Sequence, residues 1–305
     1  MVVLTALASA LAYAVAMVLQ QRGAQRTDPA RSLRPGLLVQ LAAQSLWLVG
    51  IAANIVAFGL RALALAHGSL VLVQPLLLTG LFFALVIETR LGGRRLTQND
   101  TWASVGLISG LSLFAIAASP TTGHSAATPL AWIAVAVIVG LPVGVAIAQA
   151  SARPSGEVRA AWLAAAAGLL LAALAALTKQ ATAQLGSLGL AVLVHWTPWV
   201  AGAVGVAAVV VAQSAFQAAP LRSSLPVLSV VEPLASIAIG ALAFHERIDT
   251  APSALVTQMI GLAMLVAGVL VLTTSSELTA PTPGSPATTS PAAVRPQSAA
   301  RRATA

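Results

Sequence analysis

The sequence predicts an all-α integral membrane protein of about nine transmembrane helices, arranged as two inverted four-helix repeats joined by a connecting helix. Three observations predict it. Of 305 residues, 58% are hydrophobic and only 8% charged, against about 25% charged in an ordinary soluble domain. The apolar residues fall in runs of about 20, the length that crosses a bilayer. Finally, Val71-Leu72-Val73-Gln74-Pro75-Leu76 returns 158 positions later as Ser229-Val230-Val231-Glu232-Pro233-Leu234, and the same ungapped offset relates Phe58 to Phe216 and Glu88 to Glu246.

Nine apolar segments, each bounded by charge, Pro or Gly, lie at about 2–20, 37–60, 68–87, 101–118, 129–149, 159–183, 196–217, 225–244 and 253–273. No Lys or Arg precedes the first, so it reads as a retained helix rather than a signal peptide. The stretch 184–196, with Gly186, Ser187 and Gly189, reads as a short loop or half-buried turn. Segments one to four match six to nine, and the fifth connects them. An odd connector turns the second copy upside down relative to the first, an arrangement recurrent in secondary transporters, whose sites lie near the bilayer midplane between repeats. The chain therefore divides into a first repeat, 1–118, a connecting helix with its loops, 119–158, a second repeat, 159–274, and a disordered tail, 275–305, rich in Pro, Ala, Ser and Thr.

Charge orients the bundle. Thirteen of the sixteen basic residues collect on one side, leaving Arg61, Lys179 and Arg247 on the other. The positive-inside rule then puts the C-terminus in the cytoplasm and the N-terminus outside, in the cell's inner (cytoplasmic) membrane. Five tryptophans, Trp102, Trp132, Trp162, Trp196 and Trp199, stand near segment starts, where interfacial belts form. Trp47, within a segment, is assigned to helix packing. The formal charge of +8 is explained by orientation, not by nucleic acid. The absence of cysteine excludes disulfides, thiolate metal sites and cysteine nucleophiles. The four histidines are scattered without metal-ligand spacing, and no phosphate loop or catalytic constellation is present, so neither an enzyme nor a cofactor is expected.

Glu232 is the principal candidate for a site. A carboxylate near the centre of a span costs about 3 kcal/mol or more, so it should face protein or water. It would bind a cation, carry a proton or hydrogen-bond a polar solute; alternatively it is a structural carboxyl supporting Pro233. If the protein carries a metal, Glu232 is the residue to hold it. Gln74, its counterpart in the repeat, either lines the same cavity or satisfies backbone groups freed by Pro75. Pro75 and Pro233 are expected to kink or break their helices. Lys179 either pairs with Glu232 or snorkels to the interface. Asn54 and Gln213, one position out of register in the repeat, line the cavity or, like Gln40 and Gln44, hold helices together. Glu88 and Glu246 end matching helices beside Arg90 and Arg247, as interfacial ion pairs would. Gly106/Gly110 and Gly140/Gly144 have the spacing for close helix approach.

Taken in order, Ala219-Pro220, Val231-Glu232-Pro233-Leu234, Phe244-His245-Glu246-Arg247-Ile248 and the glycine-bearing run Met259-Ile260-Gly261-Leu262 to Ala267-Gly268-Val269 resemble the drug/metabolite transporter (EamA-like) superfamily. The first half keeps Gln74-Pro75 and Glu88-Thr89-Arg90-Leu91 but departs at Thr89 and by an insertion around Gly92-Gly93-Arg94-Arg95. Its nine-helix layout, with Gln20-Gln21-Arg22-Gly23 and Ala53-Asn54, is similar to the NIPA-like magnesium transporter branch. The resemblance spans about residues 1–274. It implies a secondary transporter moving a small solute by alternating access about a midplane site at Glu232, with a magnesium pathway as the alternative; one acid plus amides is a thin set for a divalent ion. A non-transporting membrane scaffold is the reading from another class. The expected partners are a small-molecule or ion substrate and the lipid bilayer, with a homodimer also compatible.

Overall fold

The computed structural model describes residues 1–67, 70–91, 97–118, 127–154, 156–246 and 250–274, with the side chains of 62, 65–67, 70–75, 78, 273 and 274 outside the description. The expected tail lies outside the described residues. Every regular element among those described is helical: α1 (Val2–Gln25), α2 (Gly36–Ala42), α3 (Ser45–His67), α4 (Leu70–Leu91), α5 (Gln98–Ala118), α6 (Pro129–Ser151), α7 (Glu157–Leu188), α8 (Trp196–Ala218), α9 (Leu221–Phe244) and α10 (Pro252–Thr274). Seven of the described helices are long and apolar enough to cross a bilayer, or eight if the bent pair α2–α3 is one span. This is the make-up of an all-α, multi-pass membrane protein, since helices satisfy their own backbone polar groups in hydrocarbon.

The apolar run 37–60 is not one straight helix. It bends by 88° between α2 and α3. The Gln44 N–H closes α2 on the Leu41 carbonyl at 2.9 Å, while its own carbonyl already accepts the Leu48 N–H at 3.1 Å, so one polar residue ends one helix and begins the next. Conversely, α7 runs 32 residues, through the expected loop as far as Leu188, and only then tightens into a 3₁₀ turn, Gly189–Val194. The transition falls at Gly189, whose φ of +56° is open to glycine at little cost. Helix α9 continues unbroken through Pro226 and Pro233, so the break expected at Pro233 does not occur.

Two helices organise the packing. Helix α1 carries α3 and α4 along its length, and α7 carries α8 and α9; α5 runs against α10, and α6 lies on α7. Small residues allow these approaches. A Cβ added at Gly110 of α5 would stand 2.7 Å from the Gly261 carbonyl of α10, and one at Gly261 would stand 2.7 Å from the Gly110 carbonyl. The other glycines of the expected contact motifs, Gly106, Gly140 and Gly144, meet nothing within 4 Å. Seven alanines of α7 between Ala160 and Ala176 are buried, which keeps the axes of its neighbours close.

Candidate functional site

The site is built where α9 crosses the bundle. Glu232 stands midway along the 24 residues of α9 and is half-buried. Its backbone is held against α7: a Cβ added at Gly168 would meet the Glu232 nitrogen at 3.1 Å and the Val231 Cβ at 3.0 Å. Only hydrogen at residue 168 lets α7 come this close to the acid. Val230 and Leu234, which flank Glu232, belong to the same buried cluster as Tyr13 of α1. Tyr13 likewise stands midway along a 24-residue helix, and α4 reaches it at Gly80, where an added Cβ would lie 3.3 Å from the ring. Elements from both ends of the chain thus converge on one level.

Arg61 of α3 supplies the opposing charge. Helices α1 and α3 run antiparallel, registered by the Ser9 hydroxyl donating to the Ala57 carbonyl at 2.8 Å. Arg61 is one turn beyond Ala57, and a helical side chain leans back over the preceding turn, toward the level of Tyr13. Glu232, Arg61 and Tyr13 lie within electrostatic reach of one another. No direct hydrogen bond or ion pair joins Arg61 to Glu232. Arg61 is exposed.

Sequence reasoning missed Tyr13 and Arg61. Both carried a signal: Tyr13 is the only tyrosine of the chain, in the middle of its first helix, and Arg61 is one of three basic residues on the basic-poor side. Of the residues that were singled out, Asn54 is half-buried on α3, two turns from Arg61 and therefore on the same face. Gln74 and Pro75 belong to α4, but their side chains lie outside the described residues.

Two candidates go elsewhere. Lys179 pairs with Glu246, not Glu232, and lies 4.3 Å over the centre of the Phe244 ring. It lies about three turns beyond Gly168 on α7, and an α-helix rises about 1.5 Å per residue, so it stands too far along the axis to reach Glu232. Gln213 is buried in α8 and donates from Nε2 to Gln20 Oε1 of α1 at 2.9 Å. It is an inter-helix bond and not part of the Glu232 level. The Glu246–Arg247 pair cannot be placed, because Arg247 lies outside the described residues. Glu88 does something the sequence did not suggest: its Oε1 accepts the backbone N–H of Leu221, the first residue of α9, at 2.6 Å, where a helix N-terminus favours negative charge.

The end of the bundle that carries most of the arginines is tied across helices from both parts of the chain. Gln217 of α8 donates from Nε2 to Thr27 Oγ1 at 2.6 Å and to the Asp28 carbonyl at 3.1 Å. The Leu33 N–H donates to Ser214 Oγ of α8 at 2.9 Å, and Arg159 of α7 donates to Ser32 Oγ at 3.2 Å. Arg222 of α9 pairs with Glu157 of α7 at 3.1 Å. At the opposite end, Gln180 Oε1 of α7 accepts from Trp132 Nε1 at 2.8 Å and from the Ala127 N–H at 3.0 Å. Among the described residues no group of three His, Cys, Asp or Glu is placed to hold a metal ion.

No family model and no solved structure matches the chain. An uncharacterized protein of Corynebacterium glutamicum is 26% identical to it over 279 residues, covering 91% of this chain and 96% of that protein. The similarity therefore extends over the whole helical bundle and is not confined to the level of Glu232.

Proposed function

We propose that the chain is a secondary transporter that moves a small solute by alternating access, with its binding level at Glu232, Arg61 and Tyr13. The observation that carries this reading is a carboxylate, Glu232, half-buried midway along an apolar helix, where Gly168 lets α7 come against it and its neighbours Val230 and Leu234 share a cluster with Tyr13 of α1. Ionisable groups at membrane depth are costly and mark pathways.

The packing supports the duplicated architecture. The pattern in which α1 carries α3 and α4 is repeated by α7 with α8 and α9, while α5 and α10 pair with each other. Matching elements thus hold matching neighbours, as two inverted copies of one unit would. On this reading the chain has nine spans and lies in the inner membrane, its N-terminus outside and its arginine-rich end in the cytoplasm. The drug/metabolite transporter resemblance is in keeping with it. The nine-helix layout is what favours the magnesium alternative; a single mid-helix carboxylate is a thin ligand set for a divalent ion and counts against it.

The test is flux in liposomes reconstituted with purified protein, using a panel of small solutes and a magnesium-sensitive dye. Glu232→Gln is expected to keep the elution profile and melting temperature of the parent and to lose flux. A Glu232→Gln variant with unchanged flux would move the site elsewhere, and a parent protein that moves nothing would favour a scaffold.

A further inference from the structure

The arginine-rich end carries guanidinium groups that play no part at the Glu232 level. We infer that the segment 31–34 and the corner between α6 and α7 together bind the phosphate headgroup of an anionic phospholipid, drawn from the leaflet at that end.

The cluster is assembled by hydrogen bonds and packing. Leu33 is held at a φ of +62°, a region that strains a residue other than glycine. Its N–H donates to Ser214 Oγ of α8 at 2.9 Å, and its side chain packs against buried residues of α6, α7 and α8. On the other side, Leu37 and Leu41 of α2 are fully buried. Between these anchors Arg31 and Arg34 stay exposed. The Arg159 guanidinium of α7 spans from Ser32 Oγ, at 3.2 Å, to the Arg153 carbonyl, at 3.3 Å. Arg153 donates in turn to Gln149 Oε1 of α6 at 2.9 Å. Four arginines are thus gathered by neutral partners. Among the described residues none of the four is in an ion pair, and the side chains of Arg31 and Arg34 make no hydrogen bond. The acids nearest in sequence are engaged: Asp28 Oδ1 accepts the Ala30 N–H at 2.9 Å, and Glu157 pairs with Arg222. Like charges held together repel, and an anion among them turns repulsion into attraction. The planar fork of arginine fits two phosphate oxygens at once. Position argues for a lipid. Helix α2 bends 88° from α3, so where α3 spans, α2 lies along the surface as an interfacial helix does. Val39 of α2 is 71% exposed. A Cβ added at Gly36, the first residue of α2, would stand 3.8 Å from Arg31 Nη1, so charge and exposed apolar surface adjoin. Basic groups between helices at the membrane surface hold anionic headgroups.

Purified protein in a non-ionic detergent is titrated with phosphatidylglycerol, with phosphatidylcholine, and with glycerol phosphate, which has the phosphate but no acyl chain. Binding is read as lipid retained in native mass spectrometry and as thermal stabilisation. Phosphatidylglycerol is expected to bind about tenfold or more tightly than phosphatidylcholine, and glycerol phosphate not to replace it. Arg31→Gln and Arg34→Gln are each expected to weaken phosphatidylglycerol about fivefold. Arg31→Lys, which keeps the charge without the fork, should weaken it less. Arg90→Gln removes the same charge from an exposed position on α4 at the same end and is expected to leave binding nearly unchanged. Equal binding of the two lipids overturns the inference. So does glycerol phosphate acting as well as the lipid, since the site would then take a soluble anion. Arg31→Gln and Arg34→Gln proteins that elute like the parent and bind phosphatidylglycerol unchanged overturn it as well. A loss in Arg90→Gln equal to theirs does the same, because the attraction would then belong to the whole end.

Discussion

Glu88 and Glu246 occupy the same place in the repeated sequence and end their helices on opposite sides of the bundle, yet they bond differently. Glu88, from α4, reaches α9 and caps its first N–H. Glu246, just past α9, pairs with Lys179 of α7, a helix already packed along α9. The surroundings follow suit. At the arginine-rich end the segment 27–33 is bonded to α7 and α8 through Gln217, Ser214 and Arg159. At the other end the described bonds of α7 run to Glu246 and to the start of α6. Among the described residues, the arginine-rich end shows bonds between the N-terminal and C-terminal helices, and the other end shows bonds among α6, α7 and the residue after α9, with Gln258 of α10 donating to the Ala117 carbonyl of α5 at 3.2 Å at the α5–α10 seam.

The comparison can be broken at several points. The largest effect is expected from Arg222→Gln, which removes the guanidinium from Glu157 at a pair whose side chains are only 17% and 26% exposed. It should lower stability by about 1–3 kcal/mol, the range for a hydrogen bond to a charged group, read by thermal unfolding in detergent. A loss no greater than that of a surface pair would mean the arginine-rich end is not held by this bond.

A smaller effect is expected from Glu88→Gln, which leaves the α9 N-terminus with a neutral acceptor. About 1 kcal/mol is at stake. Its sharper readout is accessibility. The chain has no cysteine, so Ser223→Cys places a single thiol at a buried position in the first turn of α9. That thiol should react slowly with a membrane-impermeant maleimide in the parent, and faster when Glu88→Gln or Gln217→Leu is added. Equal labelling rates would deny that these bonds close the end.

The smallest effect is expected from Lys179→Gln. Its pair with Glu246 is 37% exposed on the lysine side, and exposed pairs contribute about 1 kcal/mol or less. A loss equal to that of Arg222→Gln would erase the asymmetry between the ends. Flux should survive this change, because Lys179 does not reach Glu232.

How much of this was legible beforehand depends on the range of the interactions involved. Helix α9 and its mid-span acid were plain from twenty apolar residues around one carboxylate, because the cost of burying charge in lipid is a property of the segment itself. The bend between α2 and α3 was not, because a run of apolar residues reports hydrophobicity and not direction, and one glutamine both ended and began a helix. The length of α7 was underestimated because Gly186 and Ser187 are only weak helix breakers, costing about 1 kcal/mol or less each, and the helix runs on through them. Arg61 was counted as a topological charge, since nothing local distinguishes a loop arginine from one leaning back along its helix.

The sequence by itself determined that this chain is a bundle of membrane helices, that one carboxylate lies in the middle of a span and that a motif recurs at a fixed offset. These follow from composition and spacing, which act along the chain. Only the tertiary structure decided that Lys179 pairs with Glu246, that Glu88 caps α9, and that Tyr13 joins the cluster that flanks Glu232. Those choices depend on how helices distant in the chain are registered, and that register is set by close approaches such as Gly168 on α9 and the Ser9–Ala57 bond, between residues whose separation in sequence gives no hint that they meet.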